Sequence, residues 1–158
     1  MSKTTGSGSS PAKKGVNDLS VGLARREARQ RAVSIIYEAK IKEITPKSVA
    51  EEQGRSSLDD LTAYLVDGVD AEAQSIDAII DRLSSNWQFD RLPLVEVCIL
   101  EIAIFELLDG RNNKAVVINE AVELTKLIAD PKSVKFINGI LANIAKQYLE
   151  PNPIQNID

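Results

Sequence analysis

Four arginines fall within seven positions of "LARREARQRAV" (Leu23–Val33): Arg25, Arg26, Arg29 and Arg31. A guanidinium is a planar fork of donors that matches phosphate oxygens and stacks on bases. The spacing predicts a helix, because Ala24, Ala28, Ala32, Ile35 and Ala39 recur at steps of three and four. With Ala28 at zero, Arg25, Arg29 and Arg26 lie at about 60°, 100° and 160°, on one flank. Arg31 lies at about 300°, on the other flank, and Tyr37 at about 180°. Only Glu27 stands near enough to neutralise this face from within the helix. An exposed three-arginine face is therefore expected, with nucleic acid or another polyanion as its partner. The plainer reading is a solvated face with no such partner.

The charge of the whole chain sharpens the contrast. Residues 1–31 hold seven Lys and Arg against Asp18 and Glu27, a net charge of +5. The remainder carries −9, and the total is −4. Such asymmetry points to an anionic partner for the basic end. Other chemistries are poorly supplied. There is no histidine, so the usual general base and the usual zinc ligand are missing. Cys98 is the only cysteine and sits in an apolar run, where a small buried hydrophobe is expected. No cofactor and no metal site is expected. No stretch has the length and apolarity of a membrane span, and no signal-peptide pattern follows Met1. A cytoplasmic protein without a membrane partner is expected.

The elements that must hold the arginines are all helical by pattern. Residues 1–22, rich in Gly, Ser, Lys and Thr, read as a flexible basic tail. Residues 23–150 read as one all-helical domain, and 151–158 as a frayed end. The first helix is expected from about Ala24 to Lys42 or Glu43, before Thr45-Pro46. A polar connection with room for a short helical turn follows. Leu58, Leu61, Leu65 and Val69 mark another helix, and Ala73, Ile76, Ile80 and Leu83 the next. "LVEVCILEIAIFELL" (94–108) is apolar on nearly every side, which predicts a central, buried helix. Val117, Ala121, Leu124 and Ile128 define one more helix, and Ile137, Ile140, Leu141, Ile144 and Tyr148 the last. The fold class is all-α, with about six or seven helices in two small subdomains around the apolar one.

"RREARQRAVSIIYEA" (25–39), Trp87, "LVEVCILEIAIFELL" (94–108), "VINEAVEL" (117–124) and "SVKFINGIL" (133–141) follow in that order. Together they resemble the NusB family of transcription antitermination proteins, over roughly residues 24–146. The resemblance implies two small helical subdomains. It implies binding of a short single-stranded leader element, boxA, in ribosomal RNA transcripts. It also implies pairing with a small-subunit ribosomal protein, NusE, that contacts RNA polymerase. Some members form homodimers. A NusB-like domain also precedes some ribosomal RNA methyltransferases, but no strand pattern or Gly-rich loop accompanies it here. A non-enzymatic RNA-binding adaptor is expected; the alternative is a helical protein-interaction module without RNA preference.

Carried over residue by residue, the resemblance places RNA contacts at Arg25, Arg26, Arg29 and Tyr37. A second group is Lys132, Ser133 and Phe136. Phe136 would stack on a base, and Lys132 and Ser133 would meet phosphate at a helix start. Asn119 of "INEA" is expected at a helix start, satisfying backbone N–H groups. Glu96 and Glu101 are expected to be exposed and to face the protein partner. The family usually reads Leu-Arg where this chain reads Leu100-Glu101.

Overall fold

The computed structural model describes residues 11–87 and 92–149. Its helices are α1 (Pro11–Lys42), α2 (Pro46–Glu52), α3 (Asp60–Ala71), α4 (Ala73–Trp87), α5 (Leu94–Asp109), α6 (Lys114–Ile128) and α7 (Val134–Ile144). Two short 3₁₀ turns, Arg55–Ser57 and Pro131–Ser133, precede α3 and α7. A π-type turn, Ala145–Leu149, extends α7. Among the described residues there is no strand. The expected all-α class is the observed one.

Local chemistry sets most boundaries. Thr45 caps α2 by accepting from the Ser48 N–H at 3.1 Å, with Pro46 at the first helical position. Asp59 caps α3 by accepting from the Thr62 N–H at 3.0 Å. Pro93 precedes α5 as its flanking residue, and Gly110, at φ +76°, ends it. Asn113 caps α6 through the Ala115 N–H at 2.8 Å. Asn119, expected in that role, instead lies in the middle of α6 and is exposed. The helix simply begins earlier, at Lys114.

A helix apolar on all sides must be surrounded, and α5 packs on α1, α3, α4, α6 and α7. Cys98, Leu100 and Ile104 on it are fully buried. On one side α1, α2 and α3 pack together; on the other, α6 and α7 close over α5. These are the two subdomains, and α1 and α5 form the seam between them. Thr62 of α3 is buried there and donates to the Ala28 carbonyl of α1 at 3.2 Å.

α1 begins at Pro11, well before Ala24, so part of the stretch read as a tail is helical. Its arginines therefore lie mid-helix, away from the N-terminal end of the dipole. Residues 1–10 and 151–158 lie outside the described residues. No helix among the described residues is long and apolar enough to cross a membrane.

Candidate nucleic-acid interface

The arginine cluster divides into residues with different work. Ala28, Ala32, Ile35 and Ala39 bury the inner face of α1, as the periodicity predicts. Arg25 is exposed and makes no ion pair among the described residues. Arg26 is about half exposed, and its Nε donates to Glu120 of α6 at 3.3 Å. Arg31 faces the opposite way, as expected, and meets Asp59 at 3.4 Å.

Arg29 is not on the exposed face. It is 5% exposed and grips Glu106 of α5 with two bonds, Nε to Oε2 at 3.1 Å and Nη2 to Oε1 at 2.9 Å. Asn112 donates to the same carboxylate at 3.2 Å. Burial works against the charged guanidinium, but the bond and charge of Glu106 outweigh it and raise its pKa. At about 100° from Ala28, Arg29 falls on the edge where α1 meets α5 and α6. Its Nε and Nη2 are held by Glu106 inside the protein, so of the three expected arginines only Arg25 and Arg26 are exposed.

The two acids expected to face a partner are buried as well. Glu96 is 2% exposed; its Oε1 accepts from the Ser133 hydroxyl at 3.1 Å and the Asp130 N–H at 3.4 Å. Glu101 is 5% exposed and pairs with Lys40 of α1 at 2.9 Å. Burial raises the Glu101 pKa against the opposing pull of Lys40. The acid at this departure from the family pattern thus has a cation from α1. A helix surrounded on all sides leaves no exposed position for either carboxylate.

The remaining candidates lie on α1 and in the segment from Lys132 to Phe136. Arg26 lines a groove with Glu120, Glu123, Lys126 and Leu127 of α6. Further along α1, Tyr37 lines a second groove with Val33, Ile41, Val95 and Ile128. Tyr37 is 38% exposed. Lys132 follows α6 closely and is exposed. Ser133 sits beside it, half-buried, with its hydroxyl held by Glu96 rather than turned outward. Phe136 is half-buried and packs partly against the core. Arg26 and Tyr37 thus line two grooves along one strip of α1, bordered by Lys126, Leu127 and Ile128 of α6; Lys132 follows four residues beyond Ile128 in the chain.

A surface ion pair such as Arg26–Glu120 is worth about 0–1 kcal/mol, so a phosphate can compete for that guanidinium. Breaking a buried pair such as Arg29–Glu106 costs about 3–5 kcal/mol, so an external anion competes far less readily for that guanidinium. Glu106 and Glu120 hold arginines, a role that spacing alone does not reveal. Each is far from its partner in the sequence.

The profile of the NusB family matches residues 26–146. The chain belongs to the NusB family. It is 38% identical over 127 residues to the transcription antitermination protein NusB of Listeria welshimeri, covering 79% of this chain and 98% of that one. NusB of T. maritima superposes with a TM-score of 0.69 at 27% identity, covering 80% of this chain and 93% of the other. A solved complex of the antitermination factors NusB and NusE with double-stranded RNA is similar at 32% identity and a TM-score of 0.63, covering 78% and 97% of the two chains. The NusB-family match begins at Arg26, so α1 starts before it.

Proposed function

We propose that the protein is a transcription antitermination factor that binds boxA-type single-stranded RNA together with the ribosomal protein NusE, in the transcription complex of RNA polymerase. The observation that carries this reading is that Arg25, Arg26, Tyr37 and Lys132 are all exposed on a NusB-family fold. The similarity to a NusB–NusE–RNA complex supports it. Guanidinium forks supply phosphate contacts, and Tyr37 and Phe136 supply rings for unpaired bases. Ser133 contributes through its place at the start of α7, and Arg29 by holding α1 in register. Lys126, at the end of α6, adds a cation beside Arg26. The reading is non-enzymatic and cytoplasmic, and a homodimer that covers part of the strip belongs to it as a resting form.

The acidic bulk of residues 32–158 gives phosphate little attraction, so the basic strip alone is a small site. A basic partner docked on the acidic helices would extend the charged path. RNA and NusE then raise each other's affinity by the same factor. Titration of boxA-like, scrambled and duplex RNA, with and without NusE, tests this. The boxA-like strand should bind best, more tightly in the presence of NusE, and the gain should shrink as salt rises. Arg25→Ala with Arg26→Ala should make the log K against log salt slope shallower by about 1.4, since each phosphate contact on a single strand contributes about 0.7. Equal affinity for all three RNAs, unchanged by the arginine substitutions, would leave the protein-interaction module as the better account.

A further inference from the structure

A groove on the far side of α6 has no part in the strip. It runs between α6 and α7, with Ile118 and Val122 on one wall and Val134 on the other. Asn119 and Asn138 face it from the two helices, and Lys135 stands at one end. Both carboxamides are exposed, and neither hydrogen-bonds to another described residue. Lys135 is exposed and makes no ion pair among the described residues.

We propose that this groove is a second station for the same single-stranded RNA, in which Asn119 and Asn138 read the edge of an unpaired base and Lys135 meets its phosphate. The inference rests on the RNA-binding reading above. A base needs an apolar face beneath its ring and paired donors and acceptors at its edge. Ile118 and Val122 offer the first, and two carboxamides, each both donor and acceptor, offer the second. Among the described residues no acid lines this groove, whereas Glu120 and Glu123 line the one on the other side of α6. An RNA strand is therefore favoured over a basic protein segment, which would seek carboxylates. The groove lies at the start of α7: Val134 and Lys135, which line it, directly follow Ser133 in the chain. Asparagine is a poor residue for the middle of a helix, and each helix carries one at this groove.

Four forms of the full chain decide it: wild type, Asn119→Ala with Asn138→Ala, Lys135→Ala, and Arg25→Ala with Arg26→Ala. Each is titrated with boxA-like and scrambled single-stranded RNA across a range of salt. The double asparagine variant should bind the boxA-like RNA about tenfold more weakly. It should discriminate less between the two RNAs and keep its salt slope. Lys135→Ala should flatten the slope by about 0.7. Thermal unfolding serves as the control for folding, because alanine favours a helix more than asparagine does and the variants should melt no lower than wild type. If the asparagine variant keeps wild-type affinity and discrimination while the arginine variant loses affinity, the groove is not an RNA station. Loss of NusE binding or of self-association with RNA binding intact would likewise overturn the proposal and assign the groove to a protein. If only the arginine variant leaves RNA binding unchanged, the strip is misread and the groove stands.

Discussion

Arg26 and Arg29 are three residues apart and have opposite fates. Arg29 is buried with its Nε and Nη2 on Glu106, and Arg26 lies half in solvent beside Glu120. Arg29→Ala is expected to cost about 3–5 kcal/mol in urea unfolding, because Glu106 is left charged and buried. Pairing Arg29→Met with Glu106→Leu should recover much of that loss, since apolar residues of similar size often replace a buried pair at little cost. Arg26→Ala should change stability by no more than about 1 kcal/mol and act on RNA affinity. Equal destabilisation by the two single substitutions would contradict this division. Asp59 carries a pH signature. Burial pushes its carboxyl up, but hydrogen bonds from the Thr62 hydroxyl and N–H, with the charge of Arg31, hold its pKa below the ordinary value. The unfolded chain therefore takes up a proton there before the folded one does. The stabilisation is present at neutral pH and is lost as pH falls below the ordinary carboxylate value and through the depressed folded one. Asp59→Ala should cost about 1 kcal/mol at pH 7, with the gap to wild type narrowing in melts at pH 3.

At the scale of elements, the central helix was readable because its apolar residues leave no polar stripe. The helices around it were readable from period and from breakers such as Asp130-Pro131. What the sequence could not show was pairing at a distance. Glu96, Glu101 and Glu106 look like solvent-facing acids in isolation. Each is buried because a partner arrives from another element: Ser133, Lys40 and Arg29. The same blindness made Arg29 look exposed. The helical start of α1 was hidden by its Gly, Ser and Lys, which favour disorder by composition. The approach of α3 to α5 was equally invisible. Gly68 faces the Phe105 ring so closely that a methyl group there would overlap it. Phe105 is held in turn by Tyr64, with ring centroids 5.1 Å apart, and Arg111 lies 4.2 Å over the Tyr64 ring. The ring thus has little freedom to give way. Gly68→Ala should destabilise by about 1–3 kcal/mol in denaturant unfolding despite its better helix propensity. A stabilised variant would mean that α3 can move off α5.

At the scale of the molecule, charge is sorted by position. Arg25 and Arg26 project at one flank of α1, while Glu96, Glu101 and Glu106 of α5 are consumed internally and the acids of α6 stay near the surface. α1 and α5 together decide the sorting, because they carry both the seam of the core and the bonds that cross it. Cys98 lies on that seam, fully buried, and burial pushes its thiol up to about 12. The protein thereby contains a clock for its own opening. A thiol reagent reacts with the thiolate, which is scarce at neutral pH and sealed from solvent until α5 is uncovered. Labelling in the native state should be at least about a thousandfold slower than in urea, given the usual stability of domains. Arg29→Ala should accelerate it by about a hundredfold or more, the kinetic image of its lost stability, and saturating RNA should slow it. Labelling at the unfolded rate would place Cys98 outside the core. Followed by mass, that one sulfur reports how often the two subdomains part.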